Sequence, residues 1–165
     1  MRENGCYPKA TKHKFKESLE LYFQLCSMEV TAESSAVMAA TLANGGVVPT
    51  TGKRVFKVDM VKHVLSLMLS CGMYDYSGQF AFNVGVPAKS GVSGSLMLVI
   101  PNLCGICLWS PLLDVHGNST KGVDFCTQLV KKFNFHNFDC LIIDNADKKK
   151  RDPRKSHEET RGVAM

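Results

Sequence analysis

The spacing of apolar residues predicts two helices near the start of the chain. The first covers residues 13–28, where one helical face repeats through Phe15, Leu19, Tyr22 and Cys26. The second begins after Thr31, which can cap it, and ends at Asn44-Gly45-Gly46. Its many alanines leave room for a neighbouring backbone, so we expect this helix to be buried at the centre of the fold.

Three further helices are predicted downstream. One runs from Val58 to Ser70, and its inner face is formed by Val61, Val64, Leu65, Met68 and Leu69. A short helix is predicted over residues 74–84 with Asp75 as its cap, and a last helix covers residues 121–133. The helical segments therefore flank, on both sides, a region with a different pattern.

That central region carries strand signals. Residues 94–100 and 103–109 are apolar runs joined by Pro101-Asn102, which is typical of an antiparallel strand pair. Helices, then strands, then a helix indicate an α+β fold in which helices cover an antiparallel sheet. Two strands are too few for a stable sheet, so either the chain holds further strands or their partners lie outside it.

Composition and charge narrow the class of protein. The chain has 165 residues, of which 45% are hydrophobic and 21% are charged, and this suits one compact domain or part of a larger one. Its net charge of +5 arises at the ends, because residues 21–143 hold eight basic and seven acidic side chains. We therefore expect no basic face for a nucleic acid, and we expect residues 144–165 to form a charged, unstructured tail.

The longest apolar run, Ser95 to Ile100, falls far short of the roughly 20 residues of a membrane helix, so a soluble protein with no membrane contact is expected.

Cysteine and histidine spacing favours neither a disulfide framework nor a metal site. The seven cysteines are odd in number and most lie in apolar segments, which indicates free thiols in a reducing compartment. Cys104-Gly105-Ile106-Cys107 has no second cysteine pair, so core packing is favoured over a redox or zinc site. The five histidines show no metal-binding spacing, and no metal is predicted.

One short motif indicates acyl-transfer chemistry. Lys89-Ser90-Gly91 precedes the first predicted strand and is similar to the Lys-Thr-Gly box of penicillin-binding proteins and serine β-lactamases. In such a box a cation and a hydroxyl line one side of the site. Glycine lets the substrate approach the strand backbone, whose N–H groups can hold a developing oxyanion. Lys89, Ser90 and Gly91 are therefore expected to form a supporting wall of a pocket.

The neighbouring segments indicate a family. In order, they are Tyr22–Val30, Val37–Gly46, Cys71–Phe80, Pro87–Gly94, Trp109-Ser110-Pro111, Gly117-Asn118-Ser119, Lys121-Gly122 and Asn134–Asn137. Together they resemble the glutaminases of the animal kidney and liver type, over about Cys6 to Asp139. The resemblance implies a serine β-lactamase-like fold and hydrolysis of L-glutamine to L-glutamate and ammonia, without a metal or organic cofactor.

The resemblance also assigns site residues by position. Tyr22 matches a substrate-binding tyrosine. Tyr74 matches the tyrosine that contacts substrate and nucleophile and shuttles a proton, so it is the catalytic residue expected here. Val92, just after Lys89-Ser90-Gly91, matches the residue whose backbone N–H helps to form the oxyanion hole and bind substrate. From apolar spacing alone, both tyrosines can instead be half-buried core residues.

Some parts of the family pattern are missing from these 165 residues. In the family a Ser-x-x-Lys pair supplies the nucleophile and its base, and that spacing does not occur here. Residues 1–143 are therefore expected to be the carboxy-terminal half of a glutaminase catalytic domain, inactive by itself. The alternative is a catalytically inactive fragment that binds or regulates full-length glutaminase subunits, which form homotetramers. The family implies a mitochondrial location although the chain shows no presequence pattern; otherwise a cytoplasmic one is expected.

Overall fold

The chain divides into two compact units, residues 1–31 and 32–165. The computed structural model describes residues 4–5, 15–141 and 148–152. In the first unit, α1 (Phe15–Cys26) confirms the helix predicted over residues 13–28. Its first turn carries Glu17, whose carboxylate is favourable at the positive end of a helix.

The second unit contains the remaining described helices and strands. Its helices are α2 (Ala32–Ala43), α3 (Val58–Cys71), α4 (Ser77–Asn83) and α5 (Thr120–Lys132). Its strands are β1 (Ala88–Ser90), β2 (Ser95–Ile100) and β3 (Cys104–Trp109). The positions of α2, α3 and α5 agree with the sequence prediction to within one or two residues. Within the described ranges, no helix combines the length and the apolar character needed to span a bilayer.

The three strands form one antiparallel sheet in the order β1-β2-β3. Ala88 lies opposite Leu98, and Ser95 lies opposite Trp109. The β2–β3 pair confirms the predicted hairpin. β1 is absent from the sequence prediction because three residues after a proline are too few to show an alternating pattern. The chain thus holds one strand more than its sequence pattern indicates.

Helices cover both faces of this sheet. Successive side chains of β2 point to opposite sides, so the strand contributes residues to two separate cores. On one face β2 packs with α4 and α5, in a buried core that includes Phe80, Leu96, Leu98, Ile100 and Cys126. On the other face, Val99 packs in a second core with Ala39 of α2 and Met68 of α3. This arrangement confirms the predicted α+β architecture.

α2 lies against β3 with almost no side chain between the two backbones. A Cβ atom on Gly105 would lie 2.0 Å from the backbone nitrogen of Ala40 and 2.6 Å from the Cβ of Ala39. Both sides of the contact must therefore be small. The close backbone packing predicted from the alanines of this helix is confirmed.

The segment between α3 and β1 differs from its prediction. A 3-10 turn covers Tyr74–Tyr76, and α4 begins only at Ser77, with no side-chain cap at its start. The short helix predicted over residues 74–84 is therefore present as α4, but it begins at Ser77 and Asp75 does not cap it. The physical reason is the backbone of Tyr74, whose positive φ of 54° cannot continue a right-handed helix.

Five residues of the charged carboxy-terminal segment, 148–152, contact other parts of the second unit. The Lys148 ammonium pairs with the Asp139 carboxylate at 2.9 Å, and the Lys149 N–H donates to the carbonyl of Lys132 at 2.8 Å. The Arg151 guanidinium donates to the carbonyl of Pro101 at 3.2 Å. Residues 148–152 thus differ from the unstructured tail that their charge pattern predicts. Residues 142–147 and 153–165 lie outside the described residues.

Candidate active site

A glycine brings the end of α3 next to β1. A Cβ atom on Gly72 would lie 1.8 Å from the carbonyl oxygen of Ala88, so any other residue would push the two segments apart. The carbonyl of Gly72 accepts a hydrogen bond from the Ser90 N–H at 2.9 Å. Because of this contact, the residues that follow Gly72 lie directly beside the Lys89-Ser90-Gly91 motif.

Tyr74 is held in a strained backbone conformation at this point. Its φ of 54° is unfavourable for a non-glycine residue and costs about 1–3 kcal/mol. The Ser77 hydroxyl accepts from the Met73 N–H at 2.9 Å and donates to the Tyr74 carbonyl at 2.6 Å. Asn118 donates from its side-chain Nδ2 to the Met73 carbonyl at 3.1 Å. The surrounding structure therefore fixes both peptide groups that flank Tyr74.

The side chains of Tyr74 and Lys89 converge on one carbonyl oxygen. The Tyr74 hydroxyl lies 3.5 Å from the carbonyl oxygen of Ser90, to which the Lys89 ammonium also donates a hydrogen bond. The Lys89 Nζ lies 5.2 Å from the centroid of the Tyr74 ring, in a cation–π contact. Tyr74 is 41% exposed, so its phenol is open to solvent on the remaining side. These features place a proton donor and a positive charge at the same exposed position.

The Ser90 side chain takes no part in this arrangement. It is only 2% exposed, and its Oγ has no hydrogen-bond partner among the described residues. The sequence motif suggests that a cation and a hydroxyl line the site together. In this structure the motif presents the Lys89 ammonium and the backbone of Ser90, while the Ser90 hydroxyl is buried.

A tight turn connects β1 to β2 and exposes the backbone of Val92. The Gly94 N–H donates to the Gly91 carbonyl at 3.0 Å, and the Gly91 N–H donates to the Ser95 carbonyl at 2.9 Å. Val92 is 75% exposed, and its own N–H finds no acceptor within the described part of the chain. The indole N–H of Trp109 donates to the Ser93 carbonyl at 3.0 Å and so holds the turn against β3. A free, fixed N–H of this kind can stabilise an oxyanion.

Tyr22 lies in α1 of the first unit. Its side chain is 60% exposed, and its ring centroid lies 6.2 Å from that of Phe23.

The cysteines of β3 and α5 are partly or fully buried, whereas Cys26 and Cys71 are exposed. Cys104 and Cys107 lie three positions apart on β3, so their side chains point to opposite faces of the strand and cannot join one site. Burial raises the pKa of the Cys126 thiol to about 12, so this thiol remains protonated. Neither these two cysteines nor Cys126 forms a disulfide in the part of the chain that the structure describes. Among the residues that the structure describes, no group of three or more His, Cys, Asp or Glu side chains is arranged to hold a metal ion.

The sequence pattern does not reveal the residues that hold Tyr74 in place. Gly117-Asn118-Ser119 is one of the segments that resemble the family. Nothing in its local pattern links Asn118 to Met73, which lies 45 positions earlier in the sequence. The same pattern places Ser77 inside a predicted helix. The contacts of these residues depend on how α3, β1 and the loop before α5 meet in three dimensions.

Comparison with known proteins relates this arrangement to one family. Residues 1–138 match the protein-family model described as Glutaminase. The mitochondrial liver isoform of glutaminase from Mus musculus is 54% identical over 165 residues, which are 100% of this chain and 27% of the mouse protein. A glutaminase from Nostoc sp. is 48% identical over 132 residues, which are 80% of this chain and 40% of that protein.

Solved structures give the same result. A Bacillus subtilis glutaminase, crystallised as its covalent complex with 5-oxo-L-norleucine, superposes with a TM-score of 0.72 and 39% sequence identity. The match covers 74% of this chain and 44% of the bacterial chain. This chain therefore spans less than half the length of the relatives it matches. The shared α+β fold is the serine β-lactamase-like fold of these enzymes.

Proposed function

Because the chain belongs to the glutaminase family, we propose that it supplies one wall of a pocket in which L-glutamine is hydrolysed to L-glutamate and ammonia. One observation carries the proposal. The Tyr74 phenol and the Lys89 ammonium meet at the Ser90 carbonyl, next to a turn that presents the free N–H of Val92. A proton carrier beside an oxyanion-binding N–H is what amide hydrolysis requires.

In the proposed reaction a serine attacks the carboxamide carbon of glutamine. The 165 residues contain no Ser-x-x-Lys, so this serine and its lysine come from a segment outside them. The oxyanion that forms is stabilised by the Val92 N–H. The proton that the serine gives up is taken by its paired lysine and passed through Tyr74 to the departing nitrogen, the C–N bond breaks and ammonia leaves. Water then attacks the resulting acyl-serine ester, releasing L-glutamate and returning the proton to the serine.

Lys89 and Tyr22 have supporting roles in this proposal. The positive charge of Lys89, 5.2 Å from the centroid of the Tyr74 ring, can stabilise the negative charge that develops in the transition state. Tyr22 is assigned to substrate binding from its match to the family pattern. No step uses a metal or an organic cofactor.

A chimera tests the proposal. In it, the aligned segment of the mouse liver isoform, 54% identical over 165 residues, is replaced by this chain. We expect the chimera to release ammonia from L-glutamine and the 165 residues alone to release none. Robust turnover by the 165 residues alone would show that the nucleophile lies within them. A chimera that folds and assembles like its parent but does not turn over would contradict the pocket assignment.

The cellular location and the oligomeric state are proposed from membership of the same family. The similar proteins from Mus musculus and Rattus norvegicus are both described as mitochondrial. We propose that the protein carrying this chain is located in mitochondria and forms a homotetramer. A fluorescent fusion to the full-length polypeptide tests its cellular location.

A second candidate function rests on the free edge of β3. Ser110 donates to the carbonyl of Gly94, which places the backbone groups of alternate residues, including Gly105 and Cys107, on the side away from β2. Within the described ranges no strand pairs with that side. An open strand edge binds extended segments of other chains. The alternative is therefore an inactive fragment that binds and regulates full-length glutaminase subunits.

Co-expression with tagged full-length glutaminase tests this alternative. We expect the chain to co-purify with the tagged subunit and to lower its activity. Cys107→Pro removes an outward N–H at an edge position and should abolish co-purification, whereas Cys107→Ser keeps that N–H and should not. Unchanged activity without co-purification would reject the regulatory function.

A further inference from the structure

Asn118 is buried in a way that packing alone does not explain. Its side chain is fully buried, its Nδ2 donates to the Met73 carbonyl, and its Oδ1 has no partner among the described residues. Burying an amide that is only half satisfied is unfavourable relative to an apolar side chain of the same size. The hydrogen bond to the Met73 carbonyl is therefore the interaction that requires an amide side chain at position 118.

Hydrogen bonds of Asp114 hold the loop that carries Asn118. The Asp114 carboxylate accepts hydrogen bonds from the N–H groups of His116 and Asn118, both at 2.9 Å. The Asp114 N–H donates to the Asn118 carbonyl at 2.7 Å. Gly117 lies next to the Tyr74 ring, where a Cβ atom would be 3.8 Å from two ring carbons. These hydrogen bonds hold the backbone of Asn118, and its side-chain amide is directed at the peptide group that precedes Tyr74.

This peptide group controls where the phenol lies. Met73 and Tyr74 share it, and rotating it would relieve the positive φ of Tyr74. Ser77 holds the N–H of Met73 and the carbonyl of Tyr74, but it does not contact the Met73 carbonyl between them. That carbonyl accepts from the Tyr76 N–H of the same turn at 3.2 Å, and among the described residues Asn118 supplies the side-chain hydrogen bond that ties it to the rest of the fold.

From these contacts we propose that Asn118 is a positioning residue for Tyr74. It keeps the strained backbone of Tyr74 in place, so that the phenol remains at the Ser90 carbonyl beside Lys89. The inference rests on the proposed function for its effect on turnover, but not for its effect on the position of Tyr74.

The test uses the chimera described above and a matched pair of variants. Asn118→Ala removes the bond to Met73. Ser119→Ala is the control, because Ser119 is equally buried and also makes one side-chain hydrogen bond, to the Gly122 N–H at the start of α5. We expect Asn118→Ala to lower kcat roughly 10- to 100-fold, as for a misplaced catalytic group, with a much smaller change in KM. Ser119→Ala should destabilise the fold to a similar degree and leave kcat within about three-fold.

A double-mutant cycle separates positioning from general damage. In the Tyr74→Phe background, Asn118→Ala should cause almost no further loss of kcat, because residues that act as a unit are not additive. Equal losses of kcat with and without the Tyr74 hydroxyl would overturn the inference.

A crystal structure of the Asn118→Ala chimera tests positioning without reference to activity. We expect Tyr74 to lose its positive φ and its phenol to leave the Ser90 carbonyl. An unmoved Tyr74 would overturn the inference even if kcat fell. If Tyr74→Phe alone leaves kcat unchanged while Tyr74 moves in the Asn118→Ala structure, the proposed reaction fails and the positioning role stands.

Discussion

Replacing Tyr74 with phenylalanine is expected to lower the turnover of glutamine by the chimera about 10²–10⁴-fold, the range for loss of a positioned acid–base group. The substitution keeps the ring and its contact with Lys89 but deletes the hydroxyl that lies 3.5 Å from the Ser90 carbonyl. Because this hydroxyl makes only a long hydrogen bond, the melting temperature should change little. Ammonia release and thermal unfolding, measured on the same preparation, give both results.

Tyr76→Phe is the matched control for this prediction. Tyr76 also carries a phenol in the same 3-10 turn, but its ring stacks on His116 with centroids 5.4 Å apart. We expect its loss to leave turnover within a few-fold. If Tyr74 were only a structural residue, Tyr74→Phe would instead leave turnover near normal. That outcome would remove Tyr74 from the mechanism.

Replacing Val92 with proline is expected to lower kcat about 10²–10³-fold, the typical cost of losing one oxyanion-hole donor. Val92 occupies the second position of the Gly91–Gly94 turn, and neither Val92 nor Ser93 has a positive φ. Proline is favoured at the second position of such a turn, so it removes the N–H while preserving the backbone. Single-turnover and steady-state kinetics with L-glutamine measure the effect.

Val92→Ala separates the backbone from the side chain. Alanine keeps the N–H and removes most of an exposed side chain, so it should lower kcat far less than proline does. The KM for glutamine should change little in Val92→Pro, because the lost interaction forms mainly in the transition state. If the alanine and proline variants lost equal activity, the side chain would be the important part of Val92 and the oxyanion assignment would be wrong.

Local patterns are enough to predict most of the fold. The helices α1, α2, α3 and α5 follow from apolar residues at helical spacing, and β2 and β3 follow from two apolar runs with a proline turn between them. These elements are long, and their buried sides repeat regularly, so each pattern is visible without its partners. Within α3, Val61 and Met68 are buried as predicted, whereas Val64 is exposed.

Short and strained segments are not predictable in the same way. β1 has three residues, and what defines it as a strand is its pairing with β2. The turn at Tyr74 depends on a backbone conformation that a tyrosine adopts only when other segments compensate for its cost. No helical or strand periodicity marks either feature.

By itself the sequence determined the α+β class, the hairpin, the alanine-rich helix packed on the sheet, and the motifs that resemble glutaminases. These depend on residue type and spacing along the chain. Only the tertiary structure decided that Gly72 brings Tyr74 next to β1, that the Ser90 hydroxyl is buried while its carbonyl meets Tyr74 and Lys89, and that Asn118 holds the peptide before Tyr74. The physical reason is that the hydrogen bonds of the Tyr74 hydroxyl and of Asn118 join residues 16 and 45 positions apart. Their geometry is set when helices and sheet pack together, and it leaves no repeating pattern along the chain.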